Sequence, residues 1–243
     1  MRTTPVSVAE AVRSIVASQT PVLFLDTCAL LDIVRLPFRA RSTGDSENLL
    51  TAAISILDKA REDQLSLVIP PPVPIELQNN LSSVEQEARN AVEELRLRYN
   101  VLTSIQKAAG KPASSLVIEA DGIITFLKDL TTQLIVSSTE LSRDDELDNR
   151  ILTRIANNRP PSSKGAVNDC IVYEHTLQLM RNIRDAGHRQ SLVFLTSNTN
   201  DYCISRAPKE PIRAELDSVD ARLCTTWNWA LNELGLTERS AGE

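Results

Sequence analysis

An α/β fold, with a parallel sheet between two layers of helices, is predicted by three features of the sequence. Short apolar runs at Val22–Leu25, Leu65–Ile69 and Ser191–Thr196 have the length and composition of strands buried on both faces. Stretches with helical spacing separate them, and such crossovers make parallel pairing the natural solution. The third feature is chemical. The first run stops at a lone acid, Asp26, ahead of Ala29, Leu30, Ile33 and Val34 at helical spacing. An acid at that strand-to-helix turn stands where open α/β sheets border their ligand crevice.

Taken in order, residues 7–18 predict an amphipathic helix capped by Ser7, with Val8, Val12, Ile15 and Val16 on one side. The Asp26 strand and its helix follow, then a loop over 35–48 that holds Pro37 and Gly44. A helix through Ile54 and Leu57 ends near Asp63. The second strand closes on Pro70-Pro71-Pro72, and Pro74 suits the first turn of the next helix, which carries Glu76. Residues 83–108 and 113–136 read as long helices, broken at Lys111-Pro112. Charges such as Glu85, Arg89 and Glu93 at three- and four-residue steps suggest a solvated face there. Ser142 followed by Asp145 suggests a helix start, and 157–163 a loop. A helix over 166–185, the third strand, a helix at 212–219, a short strand at 222–225 and a closing helix from Trp227 complete the chain.

Composition narrows the function classes. The 243 residues carry 26 basic and 32 acidic side chains, a formal charge of -6, so any nucleic-acid binding requires a local basic surface. Four scattered cysteines form no CxxC pair and fit a reducing cytoplasm. With two histidines, a metal site here would consist mainly of oxygen donors. No apolar run approaches the ~20 residues needed to span a bilayer, and Glu10 and Arg13 interrupt any leader-like stretch. Neither GxGxxG nor GxxxxGK[ST] occurs, which argues against a nucleotide-cofactor fold.

Four acids share a topological position. Asp26 ends the first strand, Glu76 opens the helix after the second, Asp169 lies near the start of the 166–185 helix, and Asp201 follows the third strand. In a parallel sheet all four can face one crevice. Clustered carboxylates repel one another unless a cation neutralises them, and Mg²⁺ or Mn²⁺ suits such a donor set. Each acid also has a plainer reading, as a helix cap, a turn residue or a surface charge.

Val22-Leu23-Phe24-Leu25-Asp26-Thr27, Pro72-Val73-Pro74-Ile75-Glu76-Leu77, Asn168-Asp169-Cys170-Ile171-Val172 and Leu195-Thr196-Ser197-Asn198-Thr199-Asn200-Asp201-Tyr202 resemble, in this order, the four acidic motifs of PIN-domain nucleases. The last is similar to the T-x-N-x-x-D-F form of some PIN-like proteins, with Tyr202 in the place of Phe. The resemblance covers roughly 21–80 and 165–230 and implies one PIN-like domain over 1–243, with residues 82–160 as a large helical insertion.

It further implies a cytoplasmic metal-dependent endoribonuclease acting on single-stranded RNA. Asp26, Asp169 and Asp201 would be ligands of Mg²⁺ or Mn²⁺, and Glu76 a ligand or the residue that positions water. Thr27, Thr196, Ser197 and Asn198 would support them. Arg35, Arg39 and Arg41, and Arg150, Arg154, Arg159 and Lys164, lie in two acid-free basic stretches flanking the site in sequence, suited either to RNA phosphates or to plain solubility. Alternatives are an inactive RNA- or protein-binding scaffold, the toxin of a toxin–antitoxin pair with its antitoxin as partner, and a flap nuclease, which the lack of a second acid group beside Glu76 disfavours. A haloacid-dehalogenase-like phosphatase fits poorly, because Cys28 stands where it needs an Asp. A homodimer is left open, and no membrane partner is expected.

Overall fold

The computed structural model of the chain describes residues 4–39, 42–112, 118–162 and 166–236. Five parallel strands form the sheet: β1 (Val22–Leu25), β2 (Ser66–Ile69), β3 (Ser138–Glu140), β4 (Leu192–Leu195) and, after a small antiparallel hairpin of β5 (Cys203–Ile204) and β6 (Ala207–Pro208), β7 (Ala221–Cys224). Their spatial order is β3-β2-β1-β4-β7. The chain builds outward from β1 in one direction and then returns to build the other half, so the order reverses between β1 and β4. That reversal opens a crevice at the carboxyl ends of those two strands.

Central placement explains the composition of β1. All four of its residues are fully buried, and Val22 aligns with Ser66 on one side and Leu192 on the other. The edge strand β3, by contrast, is Ser138-Thr139-Glu140. It has no apolar run, so its pairing with β2 was not predictable from hydrophobic pattern.

The helices are α1 (Val8–Ser18), α2 (Thr27–Val34), α3 (Leu36–Arg39), α4 (Thr43–Arg61), α5 (Pro72–Ala108), α6 (Ala120–Val136), α7 (Asp148–Ala156), α8 (Val167–Asp185), α9 (Thr199–Tyr202), α10 (Ile212–Asp217) and α11 (Trp227–Glu233). Helix α1 begins with a reciprocal capping box between Ser7 and Glu10. Helices α1 and α7 pack on α8, while α2, α4, α5, α6 and α11 form a second connected group. Together they flank the sheet as an α/β/α sandwich.

Three local expectations change. The stretch read as a loop over 35–48 is mostly helical, because Ser42 caps α4 by accepting from the Asp45 N–H and extends that helix toward the N-terminus. Helix α5 runs unbroken for 37 residues from the triple proline, so the segment with Glu76 and the 83–108 pattern are one element. The helical stretch after Ser142 starts instead at Asp144, whose side chain accepts from the Glu146 N–H and caps a short 3₁₀ turn (Asp145–Leu147) leading into α7.

The 82–160 block is tied to the body at several points. It supplies β3 to the sheet, and α6 places Leu127, Leu130 and Leu134 in the same core as β1 and β4. The far part of α5 stands clear, with Leu97, Val101, Leu102 and Ile105 exposed. Leu134→Ala is therefore expected to lower stability by about 2–5 kcal/mol, and Leu102→Ala to change it by less than about 0.5 kcal/mol. Urea unfolding of the two variants measures this; equal losses would contradict the packing described.

Candidate active site

Asp26 occupies the N-cap position of α2 with extended backbone (φ -91°, ψ 154°), yet its carboxylate makes no cap hydrogen bond. It accepts instead from the Thr196 hydroxyl at 2.6 Å, across the β1–β4 junction, while its backbone N–H donates to Leu195 O at 3.1 Å. Parallel pairing of β1 with β4 thus sets Asp26 beside Thr196 at the point where the strand order reverses.

Glu76 reaches the same edge from the start of α5. Thr27 donates to its Oε2 at 2.6 Å and Asn168 to its Oε1 at 2.6 Å, so α2 and α8 both hold it. Asn168 was not singled out in the sequence, although it precedes Asp169 within the same motif. Asp169 lies in the first turn of α8 and Asp201 in α9. The Asn198 amide spans them, donating to Asp201 Oδ2 at 2.8 Å and, more weakly, to the Asp169 carboxylate at 3.4 and 3.5 Å. The Asn198 N–H in turn donates to the Thr196 hydroxyl at 3.1 Å, joining both halves of the site.

A buried aromatic trio fixes α8 and α9 against β4. Tyr173, Phe194 and Tyr202 pack with ring centroids 5.5–6.4 Å apart. The Tyr202 hydroxyl, absent from the Phe form of the motif, donates to the Asp169 carbonyl at 3.1 Å.

The acids act on one another. Burial pushes the Asp26 carboxyl up to about 6, against a stabilising bond from Thr196 and with repulsion from Glu76. Asp169 is pushed up to about 7, first by burial and then by the charges of Asp26, Asp201 and Glu76. The Cys28 thiol, raised to about 12 by burial and by Asp26 and Asp169, stays protonated and is a poor metal donor there. All four cysteines are free. The available donors are therefore hard oxygens with surplus negative charge, which suits Mg²⁺ or Mn²⁺. Among the described residues, no three Asp, Glu, His or Cys side chains are already gathered as a ready cage for an ion. A cation such as Mg²⁺, which keeps several waters and takes only one or two carboxylates directly, does not need one.

The remaining predicted residues divide. Ser197 makes no side-chain hydrogen bond among the described residues and lines a cavity beside the acids. Arg39 pairs with Asp32 at 2.9 Å but stays more than half exposed, and Arg35 reaches the same carboxylate at 3.5 Å. Arg159 is exposed and, with Arg150 and Arg181, borders a hollow of about 310 Å³. Arg154 lines the same hollow, but its charge is already matched. It is 5% exposed, bonded to Glu174 at 2.6 Å and Glu215 at 2.7 Å, and stacked 4.7 Å over Tyr173. Its guanidinium is spent inside the protein, where it compensates two acids. Lys164 and Arg41 lie outside the described residues. No helix among the described residues is long and apolar enough to cross a membrane.

The PIN-domain family model matches residues 23–202, a span that holds all four acids and the helical block between them. The chain belongs to the PIN-domain family. Neither a curated protein nor a solved structure matches it. The PIN domain gives the chain a nuclease-type fold.

The raised carboxyls have a consequence for stability. A folded-state pKa above the ordinary 3.8 means that the folded chain binds more protons than the unfolded one between pH 3.8 and about 6 for Asp26, or about 7 for Asp169. Stability from these two groups is thus highest at low pH and is lost as pH rises through that window. In chelator at pH 7.5, Asp26→Asn is expected to stabilise the protein by roughly 1–3 kcal/mol, with the gain shrinking toward pH 4. Melting curves across pH test it; a variant less stable than wild type at pH 7.5 contradicts it.

Proposed function

We propose that this PIN-domain chain is a metal-dependent endoribonuclease that hydrolyses phosphodiester bonds of single-stranded RNA. The observation that carries the reading is geometric: Thr196 and Asn198 link Asp26, Asp169 and Asp201 in one hydrogen-bonded chain at the carboxyl edge of the sheet, a concentration of negative charge that asks for a cation. Asp26, Asp169 and Asp201 are the residues that would hold Mg²⁺ or Mn²⁺, with Glu76 as a further ligand or water-positioning group. Bound there, the ion supplies Lewis-acid polarisation of a phosphate and a hydroxide near neutral pH.

The chain's own residues prepare that chemistry. Thr196 holds Asp26 Oδ2 and so fixes the carboxylate at the carboxyl edge of the sheet. Thr27 and Asn168 fix both Glu76 oxygens, and each keeps a lone pair for a water proton or a cation. The Asn198 amide orients Asp169 and Asp201 toward each other. Support of this kind commonly tunes affinity or activity 10- to 100-fold. On a chain of net charge -6, Arg159 and Arg181, which make no ion pair among the described residues, are local cations that could position phosphates.

One observation favours a second reading, an inactive RNA- or protein-binding scaffold: Thr27, Asn168, Thr196 and Asn198 already satisfy the acids with hydrogen bonds. The deciding experiment is incubation of an unstructured RNA with Mg²⁺ or Mn²⁺, with and without chelator. Cleavage is expected with either ion, lost in chelator and in Asp26→Asn, and reduced roughly 10- to 100-fold in Thr196→Val. Intact RNA with both ions selects the scaffold.

A further inference from the structure

A cavity of about 400 Å³ opens beside the acids, and the proposed function leaves it without a task. It lies between α2, α4 and the loops that follow β4 and β7. Ala29, one helical turn beyond Asp26, forms part of its wall, and so does Ser197, which sits between Thr196 and Asn198. A polymer with a phosphate at the acids would therefore bring its adjoining residue to this opening.

Its lining mixes apolar and polar side chains. Leu49, Leu195 and Trp227 contribute the apolar part, and the Trp227 indole N–H is already donated to Ala29 O at 3.2 Å. Asn48, Thr225 and Asn228 line the cavity with side chains that make no hydrogen bond among the described residues. An apolar slot with a few convergent amides is the usual form of a small-molecule site, and this volume accommodates one nucleoside.

Charge decides the class of ligand. Asp32 and Asp45 both line the cavity, against one arginine, Arg39, which is paired with Asp32. Asp45 has no ion pair among the described residues. The net charge is negative, which disfavours a phosphate and favours a neutral group that donates hydrogen bonds. Single-stranded RNA offers such a group in its splayed bases, and carboxylates and amides read the exocyclic amines of cytosine and adenine.

We propose that this cavity is a nucleobase subsite, reading the base next to the scissile phosphate through Asn48, Asn228 and Asp45. It takes bases with an exocyclic amine, adenine, cytosine or guanine, in preference to uracil. This rests on the ribonuclease reading but is testable apart from it. Without divalent ion, the 5′-monophosphates of adenosine, cytidine, guanosine and uridine are titrated by calorimetry, with ribose 5-phosphate as the base-free control. At least one amine-bearing nucleotide is expected to bind at least tenfold more tightly than uridine monophosphate. Asn228→Ala and Asn48→Ala should each weaken it about tenfold, and Asp45→Asn should narrow the gap to uridine.

All three side chains are exposed, so unchanged melting curves will certify folding. Equal binding of ribose 5-phosphate, no saturable nucleotide binding, or binding indifferent to all three variants overturns the subsite. Nucleotide binding that responds to the variants, in a protein that leaves RNA intact, overturns the nuclease reading alone.

Discussion

The site depends on one costly constraint: a carboxylate, Asp26, buried where β1 meets β4. At 2% exposure it has lost nearly all contact with water, and the Thr196 hydroxyl returns only part of that loss. The sheet keeps it there. The Asp26 N–H extends the β1–β4 ladder by one bond, so turning the residue out would break backbone pairing at the centre of the molecule. Everything else around the acids supports or counters that first imposition.

The support comes from three directions. Helix α5 brings Glu76 from the far side of β2, tied back through Thr27 and Asn168. The aromatic trio clamps α8 and α9 to β4, so Asp169 and Asp201 cannot relax apart by moving their helices. Asn198 then places an amide where two carboxylates would otherwise face each other. Stability is sacrificed at this edge and recovered in a core that runs from α1 to α11.

The central part of this arrangement was legible in the sequence. Val22–Leu25, Leu65–Ile69 and Leu192–Leu195 are largely apolar because they lie inside a sandwiched sheet, and each precedes one of the acid-bearing stretches. Edges were not legible. Strand β3 is Ser-Thr-Glu and owes its conformation to pairing with β2, and the continuity of α5 depends on packing against α2, α3 and α6 rather than on a clear local signal. Arg154 was misplaced for a similar reason. A basic stretch such as 149–168 reads as one surface, but sequence cannot show that Glu174 and Glu215 wait beneath it. Asn48 and Asn228 meet at one cavity from opposite ends of the chain, a juxtaposition only the fold creates.

The position of Cys28 carries a chemical consequence of its own. It is the second residue of α2, a place where the helix dipole ordinarily favours a thiolate. Burial, reinforced by the charges of Asp26 and Asp169, reverses that tendency and keeps the sulfur in its thiol form. A thiol is a weak nucleophile toward peroxides and alkylating electrophiles alike. A sulfur buried in this way is a slow target for oxidants, and the neighbouring negative charge works in the same direction.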